Sequence, residues 1–186
     1  MTSPKLSSSP NRPDAAVDRR VGEFARVYEK FFPRVFAYVY GRVHSAHLAE
    51  DLVADVFERA FLKMDSLRNG DALSTWLFTI ARNIIISHAR KFSRETVVDP
   101  EIIREIAPAR DSVEHEILMR EEVRTLARLV RRLPQREQDI VALKFDAELS
   151  NTQIAQIMEL NEPNVRVILF RTLRKLRQMM VAEANG

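Results

Sequence analysis

Five cations, Arg166, Arg171, Arg174, Lys175 and Arg177, lie between Pro163 and Val181 with no acid among them. Guanidinium and ammonium groups spread along one helix match the phosphates of a nucleic-acid backbone, which supply much of the affinity in such complexes. The bland alternative is a solvated helix end whose charge is favoured by the macrodipole. A second cationic stretch, Arg82, His88, Arg90, Lys91 and Arg94, is likewise free of acids and adjoins Trp76 and Phe78. Cations beside aromatic rings suit a single strand, whose bases stack while its phosphates are neutralised. Trp76 taken alone reads first as a core residue. A third group is acidic: Glu50, Asp51, Asp55 and Glu58 stand beside Phe57 and Arg59. Such carboxylates form either a solvated face or a docking surface for a protein.

Catalysis finds little support. His44 and His47 are spaced to share a metal on a helix, but no third ligand stands near them. No phosphate-binding glycine loop occurs, and with no cysteine there is no thiol nucleophile, zinc ribbon or iron–sulfur site. The expectation is no metal, no cofactor and no enzymatic activity.

The elements that must carry these groups are helices. Val21, Phe24, Val27, Tyr28 and Phe31 repeat with helical period until Pro33, and Val35, Phe36, Val39, Tyr40 and Val43 resume it. A third helix spans about 48–64, with Leu52, Val56, Phe57, Ala60, Phe61 and Met64 on its stripe. Asp65–Asp71 reads as a loop, and a fourth helix runs from near Ser74 to about Phe92. Residues 95–112 read as a linker; the stretch 99–122 holds eight acids against three arginines. A helix over Val113–Leu133 follows, and the next carries Ile140, Val141 and Leu143. Ser150 followed three residues later by Gln153 is a capping box opening a short helix. After a break at Glu159-Leu160-Asn161, Asn161 caps a final helix running from about Pro163 to Met180. Short helix, tight turn and longer helix make a helix-turn-helix.

The composition agrees. The 186 residues are 46% hydrophobic and 30% charged, with only four glycines and eight prolines, which favours an all-α chain over a sandwich or barrel. Three prolines and four serines fall within the first 13 residues, so residues 1–18 are expected to be a disordered tail. No secretory signal or membrane-spanning run is legible, and a cytoplasmic location is expected, with no membrane partner. The net charge of +3 is the remainder of opposed blocks: +4 over 82–94, −5 over 99–122 and +5 over 164–178.

These pieces in this order resemble the extracytoplasmic-function sigma factors, promoter-specificity subunits of bacterial RNA polymerase. The first part rests on FARVYEKFFPRVFAYVYGRV, LAEDLVADVFERAFLKMDSLR and STWLFTIARNIIISHARK. The second rests on RRLPQREQDIVALKF, LSNTQIAQIMELNEPNV and RTLRKLR. The resemblance implies two small helical domains: a four-helix region 2 over 19–94 and a helix-turn-helix region 4 over 113–182. It implies that Asp51, Asp55, Phe57 and Arg59 contact core RNA polymerase, whose β′ and β subunits would be the partners. It further implies that the loop from Leu67, with Arg68 and Asn69, and the helix with Thr75, Trp76, Arg82, Asn83, Arg90 and Lys91 read and melt the −10 element. Asn164, Arg166, Val167, Ile168, Phe170, Arg171 and Arg174 would face the −35 promoter DNA. An anti-sigma protein is a further partner that the resemblance admits. Four positions depart from the family pattern: Glu159 stands where glycine is frequent, Val167 and Ile168 where Ser and Arg are common, and Ala54 where Gln is frequent. The alternative reading is a helix-turn-helix regulator that works without polymerase.

Overall fold

The structure, a computed structural model, describes residues 12–64, 70–95 and 113–184. Among these residues the chain forms seven helices: α1 Arg12–Val43, α2 Ala46–Lys63, α3 Gly70–Glu95, α4 Val113–Arg131, α5 Gln135–Phe145, α6 Asn151–Met158 and α7 Glu162–Ala184.

The two helices expected on either side of Pro33 are one continuous helix, α1. Proline there removes only the N–H that would reach the Glu29 carbonyl, and Pro33 and Glu29 both face solvent, where water can satisfy that oxygen. An aromatic ladder at i, i+4 spacing runs across the site: Phe24–Tyr28, Tyr28–Phe32, Phe32–Phe36 and Phe36–Tyr40 ring centroids lie 6.5, 5.1, 5.9 and 6.2 Å apart. Tertiary packing of that stripe outweighs the local cost of proline. The first unit therefore has three described helices where four were expected.

α1 also begins earlier than expected. Its first turns, Arg12–Asp18, belong to the segment expected to be a tail, while residues 1–11 lie outside the described residues. The end of α1 is closed by His44, which adopts a left-handed φ of 56° while its N–H reaches the Tyr40 carbonyl at 2.8 Å. Ser45 then caps α2 by accepting from the Leu48 N–H at 3.4 Å. α3 starts at Gly70, not near Ser74, so part of the expected loop forms its first turn. The expected linker is continuous with α3 at Glu95, and its remainder, 96–112, lies outside the described residues.

α1, α2 and α3 bury Val35, Tyr38, Val39, Val53, Val56, Leu77 and Phe78 against one another. In the second unit α4 and the turn after it clasp α7 through Leu129, Leu133 and Leu176, with Arg128 and Arg132 reaching Glu183 at 3.1 and 3.4 Å outside. α5 and α6 bury Ile140, Leu143, Ile154 and Ile157 in an apolar cluster that is continuous with that of α1–α3. The two units thus share a core.

Candidate nucleic-acid interface

The helix-turn-helix is set by local chemistry. Gln153 N–H donates to Ser150 Oγ at 3.2 Å and Ser150 N–H donates to Gln153 Oε1 at 2.9 Å, so the capping box is complete. Glu159 ends α6 in the left-handed conformation, φ 54° and ψ 47°, the conformation that glycine adopts without strain. Asn161 Oδ1 accepts from the Asn164 N–H at 2.9 Å and fixes the entry of α7.

α7 turns Val165, Leu169, Thr172 and Leu176 inward. Its exposed side carries Asn164, Arg166, Val167, Phe170, Arg171 and Arg174, all expected at the −35 face. Ile168 departs from that expectation: it is half-buried and packs against the shared core, so its side chain supports the helix. Arg166 lies over the first turn, donating from Nε and Nη2 to Glu162 Oε1 at 3.1 and 2.5 Å. That hydrogen bond and the adjacent positive charge hold the Glu162 carboxyl below its ordinary pKa.

On α3, Asn83, Arg90 and Lys91 are exposed, while Thr75 and Trp76 are half-buried. Trp76 packs against the core, as its bland reading held. Thr75 gives its carbonyl to Thr79 Oγ1, 2.7 Å away. Arg82 is half-buried and its Nε lies 3.5 Å from Asp139 Oδ2 on α5. Arg68 and Asn69 lie outside the described residues.

On α2, Asp51, Asp55 and Arg59 are exposed on one side. Phe57 is not: at 4% exposure it sits against Tyr28, with ring centroids 4.7 Å apart, and against Phe24 and Phe32. Its heptad-like register with Val53 and Ala60 turns it inward, so it positions α2 rather than presenting a ring to a partner. His47, at the start of α2, lies 3.2 Å from Asp51 Oδ2. Among the described residues no group of three His, Cys, Asp or Glu side chains gathers to hold a metal.

One constellation escaped the sequence reading. Asp139, 6% exposed, accepts from Arg42 Nε at 2.6 Å, and Arg42 Nη1 donates to Gln138 Oε1 at 2.7 Å. Arg34 Nε donates to the Ala147 carbonyl at 2.9 Å, and Gln153 Nε2 donates to Ser74 Oγ at 2.7 Å. These contacts tie α1 and α3 to α5 and α6 and place α5 over Arg82. A Cβ at Gly41 would stand 2.7 Å from Asp146 Oδ2, a close approach for which a glycine within a helix was the available sequence signal. Asp139 had none, because its partner Arg42 lies 97 residues away.

Residues 27–95 match the family model described as Sigma-70 region 2, and residues 124–176 match Sigma-70, region 4. The chain is 29% identical over 163 residues to the ECF RNA polymerase sigma factor BldN of Streptomyces coelicolor, covering 87% of this chain and 62% of that protein. It is 27% identical over 154 residues to the ECF RNA polymerase sigma factor SigM of Bacillus subtilis, covering 82% of this chain and 92% of that protein. Its fold is similar to that of the sigma factor RpoE of Bartonella quintana, co-crystallised with the anti-sigma factor NepR. There the TM-score is 0.69 at 21% identity, over 85% of this chain and 96% of that one. With a region 2 and a region 4 in order, and these relatives along most of its length, the chain belongs to the extracytoplasmic-function sigma factors of the sigma-70 family.

Proposed function

We propose that this protein brings core RNA polymerase to promoters and helps open the −10 element, working in the cytoplasm and leaving all chemistry to the polymerase. Residues 19–94 serve as the polymerase-binding and −10 unit, and residues 113–182 as the −35 unit. The observation that carries this reading is the division of charge between exposed helix faces. α2 offers the carboxylates Asp51 and Asp55, while α3 and the acid-free 163–181 stretch of α7 offer cations. Carboxylates repel DNA and suit a protein partner; cations neutralise phosphate and suit the promoter.

In that reading Asp51, Asp55 and Arg59 dock on the polymerase β′ subunit, with β a further partner. Asn83, Arg90 and Lys91 hold the strand backbone beside the loop containing Arg68 and Asn69. A base extruded from the duplex costs a few kcal/mol, which contacts in a receiving pocket offset, so recognition and strand opening become one event. Arg82 joins this surface once Asp139 releases it. An anti-sigma protein is a further proposed partner, as NepR is for RpoE in that co-crystal.

The test is reconstitution with core polymerase, transcription of genomic DNA and sequencing of the transcript 5′ ends. The expected result is a set of starts sharing two upstream sequence elements. Transcripts indistinguishable from those of core polymerase alone would overturn the reading.

A further inference from the structure

The exposed side of α7 carries apolar side chains where a DNA-reading helix offers hydrogen-bond donors. Val167 is 45% exposed and Phe170 69% exposed, the highest exposure of any large hydrophobic residue described. The helical period sets Val167 and Arg174 two turns apart, almost directly opposite the buried Val165–Leu169–Thr172–Leu176 stripe, with Phe170 and Arg171 to either side. Arg166, the guanidinium nearest the start of the helix, is drawn back onto Glu162. Its fork therefore points along the first turn rather than outward. The outward face is thus apolar at Val167 and Phe170 and cationic at Arg171 and Arg174.

The occupant follows from that chemistry. No acid occurs between Pro163 and Val181, so the surface complements a polyanion, and the exposed Val167 and Phe170 must meet an apolar group within it. The major groove exposes one such group, the C5-methyl of thymine; guanine presents acceptors that need a bidentate donor. We propose that α7 reads its duplex through thymine methyl groups, with Val167 and Phe170 as the specificity-determining side chains and Arg171 and Arg174 as phosphate contacts. This rests on the reading of α7 as the −35 helix and names what that helix recognises.

Deoxyuridine differs from thymidine by that methyl alone, which makes the test direct. The full chain with core polymerase would select from duplexes carrying a randomised block upstream of a fixed start region. The selected duplexes would then be remade with deoxyuridine for thymidine in the block. The expected result is enrichment of thymine, then weakening by about fourfold for each contacted methyl removed, the equivalent of roughly 0.8 kcal/mol per buried methyl-sized group. Val167→Ala/Phe170→Ala, two exposed changes to a good helix former, should bind the thymidine and deoxyuridine duplexes alike and keep the salt slope. Arg171→Ala should keep the deoxyuridine penalty and lower the salt slope by about one.

Equal binding of the two duplexes by the unaltered protein would overturn the methyl reading while leaving α7 as the −35 helix. Loss of polymerase capture in Val167→Ala/Phe170→Ala, with thymine selection intact, would assign the apolar row to a protein partner and overturn it too. Absence of any enrichment in the block would overturn the −35 reading itself.

Discussion

Asp139 holds two cations with one buried carboxylate. Its Oδ1 meets Arg42 and its Oδ2 faces Arg82, and the Arg42 side chain retains only 7% exposure. Removing one partner of a buried pair costs far more than the pair itself contributes, because the other charge is left without compensation. Asp139→Ala should therefore destabilise the chain by about 3–5 kcal/mol, read as a lowered midpoint of urea unfolding. The exposed carboxylates of α2 should behave oppositely. Asp51→Arg combined with Asp55→Arg should abolish capture by core polymerase in a pull-down and leave the far-ultraviolet spectrum and unfolding midpoint unchanged. Unaltered capture would remove α2 from the polymerase interface. Residue types announced the second group but not the first. An acidic helix face is visible in the chain itself, whereas a lone aspartate in α5 gives no sign of the arginine it will meet.

At the scale of elements, the helix-turn-helix is held by caps that the chain carries within three or four residues. Ser150→Ala removes one side of the reciprocal pair with Gln153 and should cost about 1 kcal/mol, measured by chemical denaturation. Glu159 is held at φ 54°, so Glu159→Gly relieves left-handed strain and should stabilise by about 0.5–1 kcal/mol, the gain being trimmed by the freer unfolded chain. Both positions were legible in advance, the first as a capping box and the second as a departure from glycine. Pro33 was misread for the converse reason. A proline signals a helix end by its own geometry, but the stacked aromatic rings and Phe57 that pack along the continuous α1 come from turns on either side and from α2. Ile168 and Phe57 differ in the same way: the family resemblance implied contact roles for them, and packing turns them to the inner side of their helices.

Across the whole molecule the two units close on each other, and this bears on function. Elements centred at −10 and −35 lie about 25 base pairs apart, roughly 85 Å along B-form DNA at about 3.4 Å per pair. The longest helix, α1 with 32 residues, is about 48 Å long, so in the function proposed above the chain does not span both elements while α5 and α6 pack on α1 and α3. On that proposal, the contact of Gln153 with Ser74 parts when the promoter is engaged. Because the chain has no cysteine, Ser74→Cys/Gln153→Cys joined by a short, cleavable bismaleimide should block run-off transcription, and cleaving the linker should restore it.

The same junction should respond to pH. Burial pushes the Asp146 carboxyl up to about 6 from 3.8, so its protonated form favours the closed packing. That contribution is fully present below pH 3.8 and is lost as pH rises through about 6. Burial, with Arg131 and Arg42 adding to it, lowers His44 to about 4 from 6.5. Its contribution is present above pH 6.5 and is lost as pH falls through about 4. The two oppose each other between those limits. Asp146→Asn removes the first and should raise stability at pH 7 by on the order of 1–2 kcal/mol once solvent screening is allowed for, while leaving the acid limb set by His44. Urea titrations at pH 5 and pH 7 would show it, and an unchanged pH 7 midpoint would count against the Asp146 account.

The sequence by itself determined the helical class, the opposed blocks of charge, the capped turn before α7 and the family. Each is written in neighbouring residues, through helical period, capping chemistry or an unbroken run of one charge sign. Tertiary structure decided which side chains of those helices face outward, whether a proline ends a helix, and that Asp139 meets Arg42 some 97 residues away. Those outcomes depend on close packing between helices distant in the chain. No local pattern encodes such packing, because the energy that settles it exists only once the helices have met.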